Sequence, residues 1–417
     1  AFASARAFCQ KCCQIEGFSL LARTLANVAR GPASSQMRLA REQFIDGSGQ
    51  RVIACGFDYL YLLHKNGSEW DLETVDPSPG TGLFASLRYD SQGYAHISYF
   101  DDANNHLKYA RETVSGWDIN TLDTTPSSGY HSSLRLDGSE NPHIAYGNNS
   151  AATAGLYYAW FDGAAWQFET VQDEHVAFSI SLGFNGSGQS CIAYMDYYDR
   201  KLKYAVRDNG TWTIEILVSQ DNCGYGAAMI MDTIGLPHIL YDCNGLRHAW
   251  YNGTQWQTES LNSVWSTGIS LRVDASNVLH ATWMDEDNVY YGTWDGAAWS
   301  IQTVVSLTGN ETPGGSSLLL PPGGMPEIAY YFNNVKELRY AVFNGSSWDT
   351  SFISRYESPG GYGSLALDSG GFGHASYIER NFHALRYAWQ DAQGWQQEDL
   401  DTDSYVFYTD IALDSSD

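Results

Sequence analysis

The sequence predicts an all-β protein, an eight-bladed β-propeller of four-stranded antiparallel blades with a short N-terminal helical arm. Three observations lead there: a unit averaging 46 residues that occurs eight times, an apolar period of two inside each unit, and Gly-containing turns at fixed places within it. The 417 residues include 40 Gly, 28 Tyr and 14 Trp with only 17% charged residues, a profile of short strands and tight turns.

The unit reads S-L-x-x-D-x-x-G-x-x-H-I-x-Y, then L-x-Y-A, then a lone Trp. One clear copy runs through Ser86, Leu87, Asp90, Gly93, His96, Ile97, Tyr99, Leu107, Tyr109 and Ala110 to Trp117, and another through Ser364, Leu365, Asp368, Gly371, His374, Tyr377, Leu385, Tyr387 and Ala388 to Trp395. The Asp position falls at Asp46, Asp90, Asp137, Asn185, Asp232, Asp274, Pro321, Asp368 and Asp414, with spacings of 42 to 48 residues. Trp70, Trp117, Trp166, Trp212, Trp256, Trp299, Trp348 and Trp395 mark the same eight units independently.

Each unit holds four strand-like pieces. The D-x-x-G segment joins the first two, because Gly takes positive φ and Asp bonds nearby backbone N–H groups. Asn or Asp followed by Gly joins the last two in six of eight units, at Asn66, Asp162, Asn209, Asn252, Asp295 and Asn344. That dipeptide predicts a type I′ hairpin turn. Four-stranded units of this length suit propeller blades, whereas coils of a parallel β-helix are much shorter. A final strand at 410–414 completes the first blade, or residues 42–46 supply it.

These motifs resemble the tandem-repeat propellers of large secreted bacterial proteins and, distantly, Asp-box sialidase-like and fucose-lectin propellers. The resemblance covers about residues 41–417 and implies architecture. The chain departs from an Asp-box, since Tyr94, Ala95 and His96 follow Gly93 where Thr-Trp is required. A sialidase also needs three converging arginines, and Arg247, Arg339 and Arg386 recur at one repeat position on different blades.

Charge divides the chain. Residues 1–45 carry a net +4 and residues 46–417 a net −29, which makes two domains, a basic arm and an acidic propeller. Such a field repels phosphate backbones, so nucleic acid is excluded as a partner of the body, and no apolar run is long enough for a membrane span. In the arm, Ile15, Phe18, Leu21, Leu25 and Val28 take helical spacing over 14–30 and end at Gly31-Pro32. This amphipathic helix is a targeting segment, a cap over its own propeller, or an arm that docks on a neighbouring subunit and makes a homo-oligomer or filament.

The recurrent His96, His143, His238, His280 and His374 stand one per blade, too far apart for a shared metal, and read as structural. Variable loops on one face hold the candidates for ligand binding: Tyr197, Tyr198, Tyr225, Trp265 and Tyr362, with Asp285 and Asp287. Exposed aromatics beside carboxylates suit sugars. Asp101-Asp102 and Asp285-Glu286-Asp287 offer oxygens to a Ca²⁺ ion, the only cofactor considered, although neither has the ligand spacing of a calcium motif.

Of seven cysteines, Cys223 and Cys243 flank the first two strands of unit five, whose antiparallel pairing brings those ends together for a disulfide. Cys191 takes a repeat His position as a buried thiol. Cys9, Cys12, Cys13 and Cys55 remain for N-terminal or inter-chain bridges. The functional expectation is a non-enzymatic extracellular binding or structural module, self-assembling through its arm. A lectin that binds glycans on the variable loop face is the alternative, and a sialidase-like or other glycosidase the third reading.

Overall fold

The structure is a computed structural model. The chain divides into two units, Ala1–Gln36 and Met37–Asp417. Residues 52–401 are described, apart from 57–58, 67–68, 219, 221–222, 308–312, 321–324, 333–336, 355–363, 368–371, 380–383 and 392. The arm with its expected helix and boundary, Cys9, Cys12 and Cys13, and both alternative closing segments lie outside the described residues. So do Tyr362 and the side chain of Cys55. Among the described residues, no helix is long and apolar enough to cross a membrane.

The described strands form eight antiparallel sheets in chain order, here called blades 1 to 8. Seven are four-stranded, and blade 1 has three strands, Val52–Gly56, Leu60–Asn66 and Glu69–Asp76. Seven blades have the four strands expected, and both segments expected to complete blade 1 fall outside the described residues. In each blade the first strand packs on the first strand of the next, from Val52–Gly56 to Ser364–Leu367, a propeller-like succession. Second strands such as Ala95–Asp101 and Ser190–Asp196 are buried throughout, whereas outer strands such as Gly116–Asp123 alternate with solvent.

Packing accounts for the repeat letters. The Ser at the end of the first strand crosses to the next blade: Ser86, Ser133 and Ser270 Oγ accept from the backbone N–H of Leu134, Leu182 and Leu318 at 3.1, 3.1 and 3.2 Å. The repeat Trp sits on the outer strand and meets edge-on the third-strand Tyr of the preceding blade, as in Tyr109–Trp166, Tyr158–Trp212, Tyr204–Trp256, Tyr291–Trp348 and Tyr340–Trp395, with ring centroids 4.8 to 5.2 Å apart. The turn Asp is a backbone acceptor: Asp90 Oδ1 takes N–H bonds from Gln92 and Tyr94 at 3.0 and 2.9 Å.

The first strands of blades 2 to 6 each carry a bulge with positive φ, at Phe84, His131, Ser179, Gly226 and Gly268. At Gly268 a Cβ would stand 2.5 Å from the backbone nitrogen of Ser316 in blade 7, so close approach of blades requires the glycine there.

The outer hairpins differ from expectation. Asn209-Gly210 is a two-residue turn with both φ positive, 48° and 80°. The turns at Asp162, Asn252, Asp295 and Asn344 instead span four residues, because the side-chain oxygen of each accepts the N–H groups two and three residues on. Asn66 ends its strand, and the turn beyond it lies outside the described residues.

Candidate functional site

In a four-stranded antiparallel blade, the turn after the second strand and the connection after the fourth emerge at the same edge. A buried polar residue ends the second strand in blades 2 to 5, at Asp101, Asn148, Asp196 and Asp242, and directly follows it in blade 6, at Asp285, all at most 3% exposed. Their side-chain oxygens shape the turns. Asp101 accepts from Asn104 N, Asp196 from Tyr198 and Asp199 N, and Asp285 from Asp287 and Asn288 N, at 2.9 to 3.0 Å. Asp285 is therefore a turn former rather than an open ligand group, while Asp287 is exposed on the same turn. Asp102 is partly buried beside Asp101, and burial first, then that neighbouring charge, pushes its carboxyl up.

Blades 4, 5 and 6 carry the exposed rings of this face. Tyr198 is 69% exposed and lies tilted against His175 with ring centroids 5.5 Å apart, Tyr225 is 40% exposed and Trp265 48%. Tyr197 is half-buried against Phe178 at 5.3 Å. One run of contacts supports the three exposed rings. The Arg200 carbonyl, two residues past Tyr198, accepts from Cys223 N at 3.0 Å; Cys223 is disulfide-bonded to Cys243 across 4.1 Å between Cα atoms. Gly224 N donates to the Asp242 carbonyl at 2.9 Å, and Ser266 N donates to Asp242 Oδ2 at 2.8 Å, which fixes Trp265 next in the chain. The rings thus ride on one continuous hydrogen-bonded rim stapled by the disulfide.

Below Tyr198, the side chains of His175, Asp196 and Asp199 form the one His/carboxylate cluster of metal-binding dimensions among the described residues. Its centre is filled from within. Lys203 Nζ donates to Asp196 Oδ2 at 2.6 Å and to Asp199 Oδ2 at 2.7 Å, and His175 Nδ1 lies 2.6 Å from Asp196 Oδ2. Burial opposes the Lys203 charge, but the two carboxylates outweigh it and hold its pKa above the usual range. Burial likewise opposes the Asp196 charge, and its bonds to Lys203, Asp199 N, Gln172 and His175 prevail and lower it. Sequence reasoning passed over this cluster because its residues come from two loops and a strand, with no ligand spacing to mark them.

The repeat histidines are engaged within their own blades. Nδ1 of His96 and His280 lies 2.5 and 2.6 Å from the hydroxyls of Tyr109 and Tyr291, and Nε2 of each faces its turn Asp at 3.4 Å. His143 and His374 bond Tyr158 and Tyr387 in the same way. Cys191, at the His position of blade 4, is a buried free thiol in the cluster that holds Tyr204.

No family model matches the chain, and no curated protein matches it. Among solved structures, it is similar to an Aleuria aurantia lectin mutant in complex with Fucα1-6GlcNAc, at 15% identity over 66% of this chain and 96% of that one, with a TM-score of 0.38. It is also similar to a Lactobacillus plantarum protein, at 12% identity over 87% and 99% with a TM-score of 0.48. An ulvan lyase bound to a GlcA-Rha3S ligand matches at 13% identity over 76% and 92%, with a TM-score of 0.47.

Proposed function

We propose that this chain is a non-enzymatic carbohydrate-binding module, an eight-bladed β-propeller closed into a ring, which takes sugars on the rim of blades 4 to 6. The observation that carries this reading is the set of exposed rings Tyr198, Tyr225 and Trp265 held on one stapled, hydrogen-bonded rim. Aromatic side chains exposed to this degree leave apolar area in water unless a ligand covers it, and a sugar offers a C–H face to the ring and hydroxyls to neighbouring amides and carboxylates. Asp199 sits on the turn of Tyr198, and exposed Asn244 follows Cys243 of the disulfide. An extracellular location accords with the Cys223–Cys243 bond, which forms in oxidising compartments. The arm, through which self-assembly is expected, lies outside the described residues.

The test is retention on a glycan array. The wild-type protein is expected to retain at least one glycan class, and Trp265→Ala and Tyr198→Ala to weaken that retention by about tenfold or more, the loss of one stacked ring. Their melting temperatures should match wild type. Retention that is absent, or indifferent to every ring substitution, overturns the reading.

A further inference from the structure

At one repeat position, a residue late in the second strand faces, in register, a residue early in the third. The pairs are Tyr99 and Lys108, Tyr146 and Tyr157, Tyr194 and Lys203, Tyr241 and Arg247, and Trp283 and Tyr290. In blades 2, 3 and 4 the tyrosine hydroxyl donates to a polar side chain of the preceding blade, six residues beyond that blade's repeat Trp. The acceptors are Asp76 at 2.7 Å, Asp123 at 2.9 Å and Gln172 at 2.5 Å. The facing lysine joins in: Lys108 bonds Asp76, and Lys203 bonds Asp196 and Asp199.

Blade 5 keeps the donors and lacks the acceptor. Six residues beyond Trp212 stands Val218, which packs in the apolar cluster that includes Tyr241. Tyr241 is 0% exposed and its hydroxyl has no hydrogen-bond partner. The Nε of Arg247 is buried without a partner as well, and among the described residues no carboxylate is in ion-pair contact with Arg247. The Asp242 carboxylate feels the Arg247 charge, but it is 2% exposed and already accepts from Gly245 N at 3.3 Å and Ser266 N at 2.8 Å. Two buried donors, one on a cation, facing no acceptor form an arrangement that native interiors fill with a water or an ion. A water would leave the guanidinium charge uncompensated, whereas a carboxylate accepts both bonds and neutralises it.

We propose that the interface between blades 4 and 5 binds a small exogenous carboxylate beside Val218, with Tyr241 Oη and Arg247 Nε as its donors, doing there what the Asp76 side chain does between blades 1 and 2. Arg247 is only half-buried, so its side of the interface is within reach of solvent. The site uses none of the exposed rim rings and does not rest on sugar binding.

The probe is sodium formate, titrated at pH 7 in low-salt buffer while the melting temperature is followed. Wild type should show a saturable rise of about 2 °C or more, since a ligand that binds only the folded state stabilises it by mass action. Val218→Asp supplies the missing acceptor from within and should lack that saturable rise; general salt effects, common to both proteins, cancel in the comparison. A wild type that responds no more than Val218→Asp overturns the proposal and leaves a trapped water as the occupant. Should Val218→Asp fail to fold, Arg247→Gln decides: loss of the rise upholds the site, and an unchanged rise overturns it.

Discussion

The hydroxyl of Tyr109 lies 2.5 Å from Nδ1 of His96 in its own blade, while its ring meets Trp166 of the next blade edge-on at 4.9 Å. On its far side His96 faces the turn residue Asp90 at 3.4 Å. Asp, His, Tyr and Trp thus form one line of contacts from a turn, through a blade, into its neighbour. The letters that recur in the sequence are junction chemistry.

This line makes stability depend on pH. Burial is the largest influence on His96, His143, His238 and His280 and lowers all four, with His238, beside His248, pushed down to about 4. An unfolded histidine titrates near 6.5, so between about pH 6.5 and 4 the unfolded chain takes up protons that the folded chain refuses. Stability is full above that window, falls as pH drops through it and levels off below. The lowered carboxyls of Asp76, Asp137 and Asp196 add a second loss as pH falls below about 4. Melting temperatures recorded from pH 7.5 to 4 should decline steadily, and a flat profile would contradict this account.

Tyr109 makes two contacts, one within its blade and one across to the next, and they can be dissected. Tyr109→Phe keeps the edge-on ring contact and should cost about 1 kcal/mol, the worth of one hydrogen bond. Tyr109→Ala opens the seam between blades 2 and 3 and should cost about 3 to 5 kcal/mol. Chemical denaturation of both variants measures the difference, and equal losses would mean that the ring contact contributes nothing.

Lys203 is the internal cation of the rim. Lys203→Met strands the fully buried Asp196 carboxylate and should destabilise by about 3 to 5 kcal/mol. Adding Asp196→Asn should recover part of that loss in a double-mutant cycle. Independent, additive effects of the two substitutions would show that the ion pair is not a unit.

The Cys223–Cys243 bond closes a segment of 20 residues. Replacing both cysteines by Ser should lower stability by about 3 kcal/mol through the freed unfolded chain. The rim should loosen with it, seen as faster amide exchange at Gly224 and Ser266. Unchanged exchange at both would show that hydrogen bonds alone hold the rim.

Much of this architecture can be read from residues alone, because Ser86, Asp90, His96, Tyr109 and Trp117 have counterparts doing the same work in several copies and repetition advertises it. The bulges at Phe84, His131 and Ser179 cannot, since no local preference puts such residues at positive φ and packing between blades imposes it. The outer turns misled because Asp162 and Asn252 use their side chains to cap a wider loop, an option that a dipeptide rule does not contain. Asp285 looked like a ligand through its acidic neighbours, yet as the first residue past a buried strand its carboxylate has backbone N–H groups to satisfy. The change at blade 5 was within reach of counting: six residues past Trp70, Trp117 and Trp166 stand Asp76, Asp123 and Gln172, but six past Trp212 stands Val218.

The bonds from Ser86 to Leu134, from Ser133 to Leu182 and from Ser270 to Leu318 join three blades to their successors through the same letters. A gene that duplicates one such unit therefore delivers a blade with a fitting half-joint on both sides. In an array of this kind the number of blades is open to heredity, while the joint is what selection must preserve.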